Sequence, residues 1–253
     1  MALKPFTMHA GLCPIHPQEE AGSHDGGITL AHCMTCSREK QEADYKVQQQ
    51  EASDARRAKE VMDRVEACRI PIRFIGKKFS GYLAISSGQK ANLEKCEGYA
   101  RDFDNHYADG RCLILSGTVG TGKTHLATAI LRKVVEEMGY TGKYWTVNGL
   151  LQVIRSSYEK DSDYTEYEVM QSVINAELLV LDEVGATKQS EFELATLFNI
   201  INSRYERQIP TIVISNLGPK QICEALGERC FDRLREGGGE CLIFQGESNR
   251  KQK

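Results

Sequence analysis

Short, continuous apolar runs alternate with amphipathic segments along the second half of the chain. The runs are RCLILSG (111–117), KYWTVN (143–148), ELLVLDEVG (177–185), PTIVISN (210–216) and CLIFQG (241–246). Between them, residues 123–139, 149–175 and 190–208 have apolar positions at helical spacing. Strands without a polar face that are separated by helices are typical of a parallel sheet covered on both faces. We therefore predict an α/β domain with five parallel strands that begins near residue 70.

The first 69 residues have a different pattern. Residues 1–36 are rich in Gly, Pro, Cys and His and show little periodicity, so this segment is too short to bury a core unaided. Residues 37–69 are charged, rich in Ala and Gln, and contain no Gly or Pro, which predicts a long solvated helix. Pro71 ends it, because the residue before a proline avoids the helical region. The expected organisation is a small module (1–36), a linker helix (37–69) and the α/β domain (70–253).

Composition narrows the functional classes. The 253 residues, 41% of them hydrophobic, are sufficient for one sizeable core and a small extra module. A formal net charge of −3 excludes a protein that coats nucleic acid by bulk electrostatics, so any DNA contact requires a local cluster. The chain lacks an apolar run of about 18 residues and the apolar core of a secretory signal. We therefore expect a cytoplasmic protein with no membrane partner.

The sequence GTVGTGKT follows the first apolar run and fits the pattern G-x-x-x-x-G-K-[ST]. In this pattern backbone N–H groups bind phosphates, the lysine reaches the β and γ oxygens, and the following hydroxyl binds Mg²⁺. The residues expected to bind ATP are Gly117, Thr118, Val119, Gly120, Thr121, Gly122, Lys123, Thr124 and His125. A chance glycine-rich turn is the alternative, and the strand before it and the helix after it argue against that alternative.

Two further apolar runs end in polar residues. Asp182 closes its run at the edge where doubly wound sheets bind ligands, so it is expected to hold Mg²⁺ together with Thr124. Glu183 follows and is expected to polarise the water that attacks the γ-phosphate. Asn216 ends the next run and is a candidate for orienting that water. Its alternative is an ordinary turn residue, since Gly218 and a proline follow.

Two close pairs of metal-ligand residues lie near the N-terminus. CPIH and CMTC give Cys13-x2-His16 and Cys33-x2-Cys36, with sixteen residues between the pairs. Two pairs on separate turns suit a tetrahedral Zn²⁺ site. With four protein ligands the metal would be structural and would couple to folding of the segment. Other candidates for the fourth ligand are His9, His24 and His32. Unligated thiols are the alternative, and the six remaining cysteines are expected to be apolar filler.

Two other stretches gather cations. In LLQVIRSSYEK (150–160), Arg155 and Tyr158 are three apart on a predicted helix, and an aromatic ring beside a cation suits single-stranded DNA. The alternative is an amphipathic helix with Tyr158 half-buried. GERCFDRLREGG (227–238) holds three arginines in a slightly acidic chain, and Arg229 and Arg233 share a helical face.

The order of these motifs resembles a known family. The P-loop, the Asp-Glu strand, the Asn-terminated strand and then GERCFDRLR resemble the AAA+ ATPases, and among them the bacterial and phage replicative helicase loaders of the DnaC/DnaI type. The resemblance covers roughly residues 70–250. It implies an ATPase that self-associates in a ring or spiral, with ATP at subunit interfaces. It also implies that the protein binds the hexameric replicative DNA helicase through its zinc module and places it on single-stranded DNA.

The resemblance also implies roles for the late arginines. Arg233 would reach the γ-phosphate bound by the neighbouring subunit, with Arg229 in support. A solvated helix face paired with Glu228 and Asp232 is the alternative. Arg250, in ESNR, matches the family's sensor arginine, and the three residues that follow it are too few for the helical lid of many AAA+ proteins. The expected domain therefore has no C-terminal lid.

Three other functions fit parts of the sequence. A transposition helper ATPase of the insertion-sequence type resembles loaders through the same motifs, but would bind duplex DNA and a transposase. A small-molecule P-loop kinase is disfavoured by the Asp-Glu pair, by Asn216 and by the late arginines. A zinc-dependent adaptor with a purely structural ATP site would show no turnover, with or without single-stranded DNA. The segment IPIRFIGKKFSGYL (70–83) is expected to lie around the adenine, and its aromatic residues equally suit a core.

Overall fold

The computed structural model describes residues 9–13, 15–18, 20–23, 33–186 and 190–246. The chain divides into two compact units, Met1–Glu60 and Val61–Lys253. In the first unit, strands β1 (His9–Leu12) and β2 (Glu20–Ser23) pair as an antiparallel hairpin, which the sequence pattern did not predict. Helix α1 (Met34–Ala67) runs from the first unit into the second, and none of its residues is buried. The expected long solvated helix is therefore present.

The second unit is built on a five-stranded parallel sheet. Its strands are β3 (Leu113–Gly117), β4 (Gly142–Thr146), β5 (Leu178–Asp182), β6 (Thr211–Ser215) and β7 (Glu240–Phe244). The strand order is β4-β5-β6-β3-β7, and all four pairings are parallel. The predicted fold class is confirmed. Strands β5 and β6 are buried along their whole length, which explains why their sequences lack polar alternation.

Nine helices of the second unit surround the sheet in the described residues. They are α2 (Ile72–Ile75), α3 (Ser87–Arg101), α4 (Phe103–Ala108), α5 (Lys123–Glu137), α6 (Val147–Ser156), α7 (Glu166–Ile174), α8 (Glu191–Glu206), α9 (Pro219–Leu226) and α10 (Glu228–Arg235). Short 3-10 turns lie at Phe79–Gly81 and Glu236–Gly238. In the part of the chain that the structure describes, no helix is both long and apolar enough to cross a membrane.

Side-chain caps fix where several helices begin. Ser86 starts α3 with a capping box, in which its hydroxyl accepts from Gln89 N and the Gln89 amide oxygen accepts from Ser86 N. Thr165 and Glu168 make the same arrangement at α7. Thr146 caps α6, so the predicted strand KYWTVN ends at this residue and Val147 is already helical.

Two hydrophobic clusters cover the sheet. One contains Leu126, Ile130 and Val134 of α5 with residues of α3 and α4, and the other contains apolar residues of α6 to α10. Each fully buried leucine or isoleucine contributes about 1.5–3 kcal/mol, so the two clusters hold the unit together. Helices α8 to α10 therefore lie on the side of the sheet opposite α5.

One buried cation fixes helix α8 to the rest of the second cluster. Arg204 is 1% exposed, and its guanidinium donates to the carbonyls of Val173, Ile174 and Ala176 at 3.0, 2.9 and 2.6 Å. These carbonyls belong to the C-terminal end of α7 and the residues after it, where a helix favours positive charge. Burial lowers the pKa of Arg204 to about 10, which leaves it charged at neutral pH.

Candidate nucleotide site and metal centre

The P-loop joins β3 to α5, and its glycines are required by the backbone. Gly117, Gly120 and Gly122 have φ of 126°, 84° and 92°, which other residues rarely adopt. A Cβ at Gly117 would lie 2.1 Å from the carbonyl oxygen of Phe244, and one at Gly122 would lie 2.4 Å from the ring of Tyr82. The loop thus passes so close to β7 and to Tyr82 that only glycine fits at these two positions.

Lys123 opens helix α5 beneath the loop. It is 5% exposed, and its Nζ donates to the carbonyls of Gly117 and Thr118, both at 2.7 Å. The loop is therefore folded around the ammonium group at the N-terminal end of a 15-residue helix. The positive dipole end of that helix and the ammonium together suit the phosphates of a nucleotide. Val119, at the tip of the loop, is 55% exposed.

Asp182 and Thr124 meet at the carboxyl edge of the sheet. The Thr124 hydroxyl donates to Asp182 Oδ2 at 2.9 Å, although the two residues are 58 positions apart. The same oxygen accepts the hydroxyl of Tyr144 at 2.6 Å, and Oδ1 accepts from Glu183 N at 2.7 Å. Hydroxyl and carboxylate oxygens are ligands that Mg²⁺ prefers, so this pair fits a magnesium ion. Burial and the adjacent carboxylate of Asp182 raise the pKa of Tyr144, which keeps its hydroxyl a donor.

Glu183 and Asn216 flank Asp182 along the same edge. Glu183 is exposed and has φ of 63°, a left-handed conformation that is strained for a residue other than glycine. Asn216 is also exposed and directly follows β6, which lies between β5 and β3 in the sheet. Ser215, just before it, is level with Ser116 of β3 in the parallel register. All the strand ends singled out from the sequence are therefore at one edge.

A segment before α3 is fixed on the P-loop. The Tyr82 hydroxyl donates to Thr121 O at 2.9 Å, and the Tyr82 ring lies edge-on to His125 with centroids 5.6 Å apart. His125 Nε2 hydrogen-bonds Lys78 O at 2.8 Å, and burial lowers the pKa of this histidine. His125, predicted among the nucleotide-binding residues, thus connects α5 to residues 78–82. This places the segment expected around the adenine beside the loop.

Arg233 lies on two aromatic rings of helix α8. Its guanidinium carbon is 5.4 Å from the ring centre of Phe198 and 5.2 Å from that of Tyr205. Tyr205 is itself held by Glu236, which accepts its hydroxyl at 2.7 Å. One terminal nitrogen of Arg233 is buried without a hydrogen-bond partner in the described structure. The side chain lines a cavity of about 320 Å³ that also contacts Ile201.

The other late arginines are placed differently. Arg229 and Arg235 are exposed. Among the described residues, neither Arg229 nor Arg233 forms an ion pair with Glu228 or Asp232, the pairing considered as the alternative for this helix. Arg250 lies outside the described residues.

Four metal-ligand atoms converge in the first unit. Cys13 follows β1, His16 lies in the turn after it, and Cys33 and Cys36 are at the start of α1. Their ligand atoms are all within 4.8 Å of one another. Cys13 Sγ is 3.5 Å from Cys36 Sγ, and His16 Nδ1 is 3.2 Å from Cys36 Sγ and 3.7 Å from Cys33 Sγ. Tetrahedral zinc at a Zn–S distance of about 2.3 Å requires S···S near 3.8 Å, so the cluster fits the ion.

The other nitrogen of His16 supports the same assignment. Its Nε2 lies 3.3 Å from the carboxylate of Glu39, on the next turn of α1. Histidines that bind a metal through one nitrogen usually donate the other to a carboxylate, which fixes the ring. The structure thus brings together the four residues predicted from the two pairs. His24 and His32 lie outside the described residues, and only the backbone of His9 is described.

The predicted DNA-contact pair is only partly as expected. Arg155 and Tyr158 are both exposed, but α6 ends at Ser156, so Tyr158 lies in the turn that follows instead of on the same helix. Arg155 lies over the ring of Phe192 at 5.7 Å, and the Tyr158 hydroxyl donates to Glu166 at 2.8 Å. Tyr158 is 58% exposed, more than the half-buried core residue considered as its alternative.

Four aromatic residues of the site were not predicted to take part in it. The sequence pattern indicated no role for Tyr144, Phe198 or Tyr205, and Tyr82 was included only in a segment expected near the adenine. Tyr144 lies in the apolar run KYWTVN, where a tyrosine hydroxyl was the single available signal. Phe198 occurs on an ordinary amphipathic helix, and the sequence offers no sign of its contact with Arg233.

Comparisons with known proteins identify the family of this chain. The family model described as IstB-like ATP binding protein matches residues 103–253. The replicative helicase loader DnaC of Escherichia coli strain K12 is 31% identical over 172 residues, which cover 68% of this chain and 68% of that protein. The family description names ATP binding and no partner, whereas the curated relative is named a helicase loader.

Solved structures share the fold. A crystal structure of the DnaC helicase loader superposes with a TM-score of 0.62 at 23% identity, covering 69% of this chain and all of that one. A crystal structure of DnaI gives a TM-score of 0.58 at 19% identity, covering 70% of this chain and 95% of that one. The resemblance expected from the motifs is confirmed, and the chain belongs to the family of IstB-like ATP binding proteins as a relative of the DnaC helicase loaders.

Proposed function

We propose that this protein is an ATP-hydrolysing loader that binds the replicative DNA helicase and places it on single-stranded DNA when replication begins. The observation that carries the proposal is the convergence of Lys123, Thr124 and Asp182 at one sheet edge, with Glu183 in a strained conformation beside them. A chain with this site and 31% identity to a curated loader is best explained as a loader itself. The curated relative favours the loader over the transposition helper.

ATP is the expected substrate. The P-loop amides and Lys123 would bind its phosphates, and Thr124 with Asp182 would hold Mg²⁺. Glu183 would take a proton from the attacking water, and Asn216 would orient that water. The 78–82 segment, fixed to the loop through Tyr82 and His125, supports a place for the base at this end of the domain.

Arg233 is proposed to act on the nucleotide of a neighbouring copy. Helix α10 lies on the side of the sheet opposite α5, and no described contact joins Arg233 to the P-loop, Asp182 or Glu183 of its own chain. A guanidinium with an unpaired buried nitrogen favours an anion as its partner. This supports self-association in a ring or spiral with ATP at the interfaces, in which Arg229 plays a lesser part and Arg250 serves as a sensor.

The cluster of Cys13, His16, Cys33 and Cys36 is proposed to bind structural zinc. Four protein ligands would leave no position for a reacting water, so the ion would stabilise the hairpin and the start of α1. This unit, and not the ATPase unit, is then the candidate helicase-binding unit.

Single-stranded DNA is proposed to contact Arg155 and Tyr158. Acidic residues Glu159, Asp161 and Asp163 follow directly in sequence, so phosphate attraction is weak there. Stacking of bases on the exposed Tyr158 ring would therefore supply most of the binding.

The helicase-binding role is tested with a double substitution, Cys33→Ser with Cys36→Ser. We expect loss of bound zinc and of helicase capture, with ATP binding retained, because the nucleotide site belongs to the other compact unit. Zinc content, pull-down of the replicative helicase from the same genome, and nucleotide binding are measured on the full chain.

The matched control is Cys223→Ser with Cys241→Ser, which removes two thiols outside the cluster. It should keep both zinc and helicase capture. If the zinc-free protein captured as much helicase as the unchanged chain, the proposed role of the zinc unit in helicase binding would be refuted. If neither the control nor the unchanged chain captured the helicase, the loader function would be refuted.

A further inference from the structure

The carboxylate of Asp182 is held by three donors, one of which comes from a strand with no assigned role. Tyr144 lies on β4, is 4% exposed, and donates its hydroxyl to Asp182 Oδ2 at 2.6 Å. Thr124 donates to the same oxygen at 2.9 Å, and Glu183 N donates to the other at 2.7 Å. Among these donors only Tyr144 is outside the P-loop and the Asp-Glu pair.

We propose that Tyr144 is a positioning residue, whose hydroxyl fixes the Asp182 carboxylate in the orientation that binds the magnesium ion of the ATP complex. The inference rests on the proposed function, because it takes Asp182 and Thr124 as the magnesium-holding pair. Tyr144 does not contact the nucleotide in this account, and it acts through Asp182.

The Tyr144 hydroxyl is not needed for packing. Its ring belongs to the hydrophobic cluster on the α5 side of the sheet, together with Leu126 and Val180. A phenylalanine would fill the same space, so replacing Tyr144 by Phe removes the bond to Asp182 and keeps the packing. The carboxylate it serves is 6% exposed, and a buried charge depends strongly on its hydrogen-bond donors.

Residues 67–69 hold the part of β4 that contains Tyr144. Tyr144 N donates to Cys68 O at 2.7 Å, and Lys143 Nζ donates to Ala67 O at 2.7 Å. The guanidinium of Arg69 lies 4.1 Å from the ring centre of Trp145. The last residue of α1 and the two residues that follow it thus hold three successive residues of β4. These contacts fix the backbone from which the Tyr144 side chain extends to Asp182.

The orientation of the Asp182 carboxylate matters because its proposed ligand is a magnesium ion. Mg²⁺ requires nearly ideal octahedral geometry and tolerates a rotated ligand poorly. Removing a group that orients a metal ligand typically costs about 10–100-fold in metal affinity. The hydroxyl of Tyr144 should therefore affect the magnesium requirement far more than the affinity for the nucleotide itself.

The test is Tyr144→Phe in the full chain, with Mg²⁺ titrated against binding of a fluorescent, non-hydrolysable ATP analogue. We expect the half-saturating Mg²⁺ concentration to rise about tenfold or more. Binding of the analogue in excess chelator should be unchanged, and Mn²⁺, which is less demanding in geometry, should reduce the defect. The control is Tyr140→Phe, which removes a hydroxyl that donates to Asp104 at 2.7 Å on the exposed surface.

Asp182→Asn separates this inference from the proposed function. If Asp182→Asn leaves the magnesium requirement unchanged, the proposed magnesium site is wrong. If Asp182→Asn raises the requirement and Tyr144→Phe does not, only the role of Tyr144 is refuted. A Tyr144→Phe protein that unfolds, or that binds the analogue weakly even in chelator, would also contradict the proposal, since the hydroxyl would then serve the fold.

Discussion

Replacing Glu183 by Gln is expected to abolish ATP hydrolysis while leaving ATP binding close to that of the unchanged protein. The substitution keeps the shape of the side chain and removes the group proposed to accept the proton of the attacking water. A positioned general base contributes about 10²–10⁴-fold to the rate, so turnover should fall by that factor. Phosphate release measures the rate, and binding of a fluorescent nucleotide measures the affinity.

The matched control is Glu191→Gln, which neutralises another exposed glutamate, in the first turn of α8. It should hydrolyse ATP at the original rate. Unchanged turnover in the Glu183 variant would assign the base to another residue. Loss of nucleotide binding would instead mean that the left-handed backbone at Glu183, with φ of 63°, shapes the loop and not the chemistry.

Replacing Arg233 by Ala is expected to remove the part of ATP turnover that depends on assembly. In the unchanged protein, turnover per subunit should rise with protein concentration, because the site is completed by a neighbour. An arginine supplied in trans contributes about 10³–10⁵-fold in related phosphoryl transfers. The variant should therefore show a low rate that does not change with concentration, measured by phosphate release over a dilution series.

Two further proteins sharpen this test. Arg229→Ala changes an exposed arginine on the same helix without the ring contacts of Arg233, so its loss should be much smaller. Mixing Arg233→Ala with Lys123→Ala should restore part of the turnover, since one protein supplies the arginine and the other the phosphate site. Wild-type turnover by Arg233→Ala alone would refute the trans arginine.

The nucleotide site was predictable because each of its motifs is a short local pattern in the sequence. The P-loop, the Asp-Glu pair and Asn216 each follow an apolar run, and parallel strands bring their carboxyl ends to one edge. Uninterrupted apolar runs such as LLVLD were sufficient to predict all five strands of the sheet. The cysteine and histidine pairs were equally local, and their four ligand atoms meet in the structure.

Two contacts over long sequence separations, each made by a residue outside the recognised motifs or by a partner outside them, were not predictable. The bond between Tyr144 and Asp182 spans 38 positions, and Arg233 meets Phe198 across 35 positions of the chain. Neither contact leaves a spacing pattern, because each depends on how strands or helices are ordered around the sheet. Helix α3 was missed for another reason, since it buries few residues and its apolar stripe is weak.

The predicted helix through Tyr158 was wrong at its end for a local reason. The hydroxyls of Ser156 and Ser157 donate back to the carbonyls of Val153 and Ile154 at 2.9 and 2.6 Å. Such bonds compete with the continuing helix, and the chain turns before Thr165 caps α7. The helical spacing of apolar residues continues past Ser156, and this is why the sequence pattern predicted a longer helix.

ATP-dependent helicase loading is measured as transfer of the replicative helicase onto a closed circle of single-stranded DNA. A closed circle has no end over which a helicase ring could thread, so a loader is needed. We expect stable helicase on the circle only when both this protein and ATP are present, and none with the Cys33 and Cys36 double variant. Equal amounts of helicase on the circle with and without this protein would contradict it.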